Sequence, residues 1–161
     1  MTPATPMFLE DLTVGQVFHS ATVTVDPDQV KAFAAKFDPQ PFHLDEAAAA
    51  ASLFGGLVAS GWHTAALSMR LMVESDFRIA GGLIGAGVEE MRWPRPVRPG
   101  DVLRVESEIL EVRPSESKPD RGIARVRNTT LNQDGQPVMV QVARLIVPRK
   151  PASADEKTPD S

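Results

Sequence analysis

The chain has no cysteine, which excludes disulfides, thiolate metal ligands and a cysteine nucleophile together, and accords with a reducing compartment. Long apolar runs are also missing: none approaches the ~20 consecutive residues that a bilayer-spanning helix needs. The opening segment MTPATPMFLEDL lacks a basic start and an apolar stretch, so neither export nor membrane insertion is expected and the expected compartment is the cytoplasm. Positive charge is in short supply too. The formal charge is −4 and the arginines are spread out with little aromatic interleaving, so nucleic acid is not an expected partner. The histidines number 3 and are scattered without ligand spacing, which leaves no expected metal site.

What remains is an ordinary globular composition. Of 161 residues, 42% are hydrophobic and 24% charged, enough for one sizeable core in a single domain. We expect that domain over residues 8–148, with a flexible N-terminus at 1–7. The polar, proline-containing segment 149–161 has almost nothing to bury and is expected to be a disordered tail.

Residues 16–26 (QVFHSATVTVD) alternate in a period of two and predict a strand. Asp26-Pro27-Asp28-Gln29 supplies an N-cap, a proline at the first helical position and a capping-box Gln, so a helix follows and ends near Phe37. Two prolines in Asp38-Pro39-Gln40-Pro41-Phe42-His43 predict a stiff extended loop. Asp45 can cap a short alanine-rich helix over 46–52. Residues 60–75 (SGWHTAALSMRLMVES) are apolar on most faces and predict a buried central helix. Strands are expected at 83–91, 102–112, 123–131 and 138–147, the last two joined by the turn at Asn132–Gln136. The class is therefore α+β, an antiparallel sheet wrapped around one long helix. One helix leaves much of such a sheet uncovered, so a homodimer or higher homo-oligomer is expected.

Asp38 and His43 pair a carboxylate with an imidazole, groups that between them can accept and return a proton near neutral pH. Asp38 could equally end a helix or open a turn, and His43 could be a surface residue. Gly61 lies in the first turn of the apolar helix, where an unsatisfied backbone N–H and the positive end of the helix dipole favour a developing oxyanion. Close helix packing would also call for glycine there.

The run FDPQPFHLDEAAAAASLFGGLVASGWHTAAL, with RWPRPVRPGDVLRV and the later SKPDRG and NQDG segments, resembles the MaoC-like acyl dehydratases, a hotdog-fold family that includes the (R)-specific enoyl-CoA hydratases. The likeness runs from about Phe8 to Pro148 and is most specific in the Asp-x-x-Pro-x-His core. It implies that Asp38 and His43 hold a catalytic water, that the Gly61 N–H binds a thioester carbonyl, and that the reaction is reversible addition of water to an enoyl-CoA. Asp38 is then expected to take the water proton and His43 to hold the water and relay a proton, although a coupled pair shares its titration and leaves the base open. CoA belongs to the substrate, and no separate cofactor is implied.

The chain departs from the family pattern at Gln40, where Asn is usual, and at Ser60, where His is common. Both positions bear on the acyl pocket, and we include Gln40, Phe42, Ser60 and Trp62 as expected substrate-binding residues. Ser60 can be an N-cap or a pocket donor, the cap being favoured by its place before an apolar helix. His63 reads as a core residue of the helix. Arg92, Trp93 and Arg95 lie in the segment that resembles the family's entry into the sheet, where an arginine could face CoA phosphates or simply be solvated. The rival activities are a hotdog thioesterase, for which Glu74 is the only helix carboxylate and sits at the far end, and a non-catalytic acyl-CoA binding subunit.

Overall fold

The computed structural model describes residues 5–152. Residues 1–4 of the expected flexible N-terminus and 153–161 of the expected tail lie outside them. A 3-10 turn at Leu9–Asp11 opens the domain. The elements that follow are β1 (Val17–His19), β2 (Val23–Thr24), α1 (Pro27–Phe37), α2 (Pro41–Leu44), α3 (Glu46–Ala50), α4 (Gly61–Val73), β3 (Ile84–Arg92), β4 (Val102–Pro114), β5 (Arg121–Leu131) and β6 (Pro137–Pro148). The strands form one antiparallel sheet in the order β1-β4-β5-β6-β3, with β2 also paired to β4. This is the expected α+β hotdog arrangement, with α4 held against the sheet. No helix among the described residues is long and apolar enough to cross a membrane.

Contacts extend past both expected domain limits. Met7 bridges Ile79, its N–H donating to Arg78 O at 2.7 Å. At the other end Arg149 Nε and the Lys150 N–H both donate to the Glu10 carboxylate at 3.0 Å.

The first strand is not continuous. Ser20 breaks it: its N–H donates to Val105 O while its hydroxyl accepts from the Val105 N–H at 2.8 Å. The break shifts the side-chain parity. Phe18 packs inward against Phe77 at 4.8 Å between ring centroids, and beyond the break Val23 and Val25 face the core. A strictly alternating strand could not put residues 18, 23 and 25 on one side.

Among the described residues, two apolar clusters fill the interior. One, with Val25, Val30, Leu71, Met72, Leu103 and Val105, lies beneath α1 and α4. The other, with Phe77, Ile109, Val126 and Val147, lies toward the opposite end of the sheet. α4 is less thoroughly buried than its composition predicts. Its sheet-facing side carries Thr64, Ser68, Leu71 and Met72, and Ser68 Oγ lies 2.6 Å from Thr130 Oγ1, whereas Trp62, Met69 and Val73 are exposed. Among the described residues β3 is an edge strand paired only with β6, and nearly all of its residues are exposed.

Candidate active site

The end of α1 aims the first residue. The Asp38 N–H caps the helix by donating to Ala34 O at 2.9 Å, with φ −151° and ψ 67° turning the chain out of the helix. Asp38 is thus a helix terminus, and its carboxylate remains available. The predicted extended loop tightens into the single turn of α2. Pro41 sits at its first position, where a proline's missing N–H costs nothing, and Asp45 N–H closes the turn on Pro41 O at 3.0 Å. That turn carries Phe42 and His43 inward. His43 is 5% exposed.

A short strap then fixes the turn. Val58 N–H donates to Phe42 O at 3.2 Å, and Val58 O lies 2.6 Å from His43 Nδ1. A carbonyl can only accept, so Nδ1 carries a proton and Nε2 is the ring nitrogen left to face the cleft. Nε2 points at Asp38 Oδ2, 3.3 Å away. At that separation the two groups meet directly, and a water can reach both only from the cleft side.

The carboxylate has its own donors. Ser60 Oγ donates to Oδ2 at 2.7 Å and Gln40 Nε2 donates to Oδ1 at 2.6 Å. These two bonds, the Ser60 bond first, hold the Asp38 carboxyl below the usual carboxylate range, with desolvation opposing them and His43 adding to them. Ser60 is fully buried and its oxygen also accepts the Trp62 N–H at 3.2 Å. The hydroxyl is therefore the helix cap and the support of the Asp38 carboxylate; Ser60 is not part of the cleft lining, so in place of the expected substrate contact it acts on Asp38.

Gly61 is the first residue of α4, where an N–H has no acceptor within the helix. Trp93 packs directly on it. A Cβ built on Gly61 would stand 2.8 Å from Trp93 Cε2, and Trp93 Nε1 donates to Gly61 O at 3.0 Å. Trp62 meets Trp93 edge-on at 5.5 Å and is 59% exposed.

These residues line one cleft of about 430 Å³: Asp38, Gln40, Phe42, His43, Gly61 and Trp62 surround it, with Trp93, Arg95 and Phe54. The tertiary structure thus gathers the expected site residues into one place, with Ser60 behind the carboxylate. Phe54, which the sequence does not single out, packs on Phe42 with ring centroids 5.2 Å apart and the rings tilted by 52°. The Val58 carbonyl that orients His43 is backbone, and no side-chain pattern signals it. Other candidates lie elsewhere. His63 stacks on Phe33 at 4.8 Å with rings 10° from parallel, and burial lowers its pKa. His19 is exposed beside Glu106. Glu74 ends α4 at the far side and accepts from Arg70 Nε at 3.1 Å.

Residues 11–132 match the model of the MaoC like domain. The chain is 55% identical to a MaoC-like dehydratase from Rhodospirillum rubrum, whose crystal structure superposes with a TM-score of 0.87 over 91% of this chain and 99% of that one. The (R)-hydratase PhaJ1 from Pseudomonas aeruginosa is 31% identical, with a TM-score of 0.71 over 97% of this chain and 96% of that one. The 3-hydroxyacyl-thioester dehydratase Z of Mycobacterium tuberculosis is 32% identical over 135 residues, 82% of this chain and 87% of the relative.

Proposed function

The chain belongs to the MaoC-like domain family, and from that premise we propose that it is a hydro-lyase that adds water reversibly across the α,β double bond of an enoyl-CoA. The observation that carries this reading is the His43 imidazole, held at Nδ1 by the Val58 carbonyl so that Nε2 faces the anchored Asp38 carboxylate, beside an unsatisfied helix N–H at Gly61. Dehydratase and hydratase relatives of the same fold support it.

Water sits on the cleft side of the pair, within reach of both His43 Nε2 and the Asp38 carboxylate. A carboxylate held below its usual range by two donors is a poor proton acceptor, so the water proton is assigned to His43 rather than to Asp38, and His43 keeps the relay expected of it. The water oxygen bonds to the β-carbon as the π electrons move onto the thioester oxygen. The Gly61 N–H and the α4 dipole stabilise that enolate; one such donor is worth ~3–4 kcal/mol in a transition state. The imidazolium is balanced by Asp38 and returns its proton to the α-carbon on the same face, which restores neutral His43 and completes the addition. No cofactor is needed beyond the CoA of the substrate.

A second copy of the chain is the proposed partner, pairing along the exposed β3 edge where Ile84 and Val88 are each about half exposed. A cysteine-free chain of this kind is suited to the cytoplasm.

The test is loss of enoyl absorbance on incubation with crotonyl-CoA and with longer or branched enoyl-CoAs. Asp38→Asn and His43→Gln are each expected to lower kcat by ~10²-fold or more. Unchanged hydration in both variants sinks the dyad, and release of free CoA from saturated acyl-CoA points to the thioesterase instead.

A further inference from the structure

Most cations of the sheet and its approaches are already committed. Arg92 pairs with Glu90, Arg104 with Glu106, Arg125 with Glu89 and Arg127 with Glu108. Arg98, three residues from the cleft arginine, donates from Nη2 to Phe54 O at 2.6 Å and lies beside Gly56.

Arg95 differs. It lines the same cleft as Asp38 and His43 and is exposed. Among the described residues its guanidinium has no carboxylate or carbonyl partner. The chain is held on both sides of it: the Trp93 side chain donates from Nε1 to Gly61 O, and Val97 O accepts the Ala59 N–H at 2.8 Å. Pro94 and Pro96 flank it and restrict the chain further. A rigid segment therefore presents an unpaired guanidinium at the mouth of a cleft whose remaining lining is largely apolar. A planar fork of donors held in this way matches a carboxylate or phosphate in two-point contact.

We propose that Arg95 is the anion-recognition residue of this cleft and pairs with an oxyanion of the thioester substrate. The inference rests on the thioester reading of the site. That oxyanion has two sources in such a substrate, the phosphates of CoA beyond the pantetheine arm and a carboxylate on the acyl chain. An acidic carrier protein would need several free cations around the mouth, and the neighbouring Arg92 and Arg98 are both engaged.

The experiment reads occupancy rather than turnover. The chain has 2 tryptophans, and both Trp62 and Trp93 line the cleft, so intrinsic fluorescence reports binding there. The wild type, Arg95→Ala and Arg95→Lys are titrated with CoA, with pantetheine, and with the pantetheine thioester of a dicarboxylic enoyl acid. Arg95→Ala is expected to weaken one or both anionic ligands at least tenfold and to leave pantetheine unchanged, with Arg95→Lys in between. A loss confined to CoA assigns the phosphates; a loss confined to the dicarboxylic thioester assigns the acyl carboxylate. The proposal is overturned if the wild type binds neither anionic ligand, if both bind all three proteins alike, or if pantetheine weakens by the same factor. Crotonyl-CoA turnover by the wild type, measured separately, decides the hydratase reading on its own.

Discussion

The Nδ1 of His43 lies 2.6 Å from the carbonyl oxygen of Val58, and that contact decides which face of the imidazole meets the cleft. It separates anchoring from chemistry in a way that can be measured. His43→Asn can keep a donor toward Val58 while removing Nε2, so it is expected to fold with little loss of stability and to lose ~10²–10⁴-fold in kcat. His43→Leu also leaves the carbonyl unpaired in a buried place and should unfold ~1–3 kcal/mol more easily in urea. Equal stability of the two variants would discount the anchor.

Ser60 supports both Asp38 and the start of α4. Removing its hydroxyl in Ser60→Ala takes away the largest influence that lowers the Asp38 pKa. Asp38 then protonates at higher pH, so the acidic limb of the kcat profile should move upward in pH relative to wild type. The lost cap should cost ~0.5–2 kcal/mol of stability. An acidic limb that stays in place would show that Asp38 ionisation does not control it.

Gly61 and Trp93 are in contact where a methyl group would intrude, with the built Cβ 2.8 Å from Trp93 Cε2. Gly61→Ala is expected to cost ~1–3 kcal/mol by overpacking and to lower kcat through a displaced N–H. Trp93→Ala makes room, so the double variant should be less destabilised than the sum of the two singles. Additive losses would mean that the contact does not govern the substitution.

His63 supplies a pH dependence of stability that is independent of the chemistry. Its ring is buried against Phe33, Nδ1 has no partner among the described residues, and burial lowers its pKa. The unfolded chain, with an ordinary histidine pKa near ~6.5, binds the proton more readily than the folded one. Stability contributed by neutral His63 is therefore present above that pH and is lost as pH falls toward the lowered folded value. His63→Phe should keep the stacking and flatten the fall in urea midpoint between pH 7 and pH 5. A slope unchanged by the substitution would assign the fall to other groups.

Much of this molecule is legible from local pattern. Asp26-Pro27 starts α1 where expected, and the alternating runs become β3 to β6 in the expected order. The first strand is where alternation misleads, because Ser20 trades side-chain and backbone bonds with Val105, 85 residues away, and resets the parity. Two prolines suggested an extended segment from Asp38 to His43, yet Pro41 at the head of a turn is compatible with helix, and α2 forms. The exposure of Trp62, Met69 and Val73 is likewise invisible to composition, since an apolar helix reads the same whether one face or all faces are covered.

The amino-acid order by itself determined which groups can exchange protons, that a glycine opens the apolar helix, and that sheet and helix should combine, because these depend on residue type and near-neighbour spacing. Only the tertiary structure decided that the Val58 carbonyl fixes the His43 tautomer, that Ser60 reaches across 22 residues to Asp38, and that Trp93 requires the glycine at 61. Those relationships join backbone carbonyls and side chains distant in sequence, and their strength depends on distance and burial, which are set when the sheet closes on the helix.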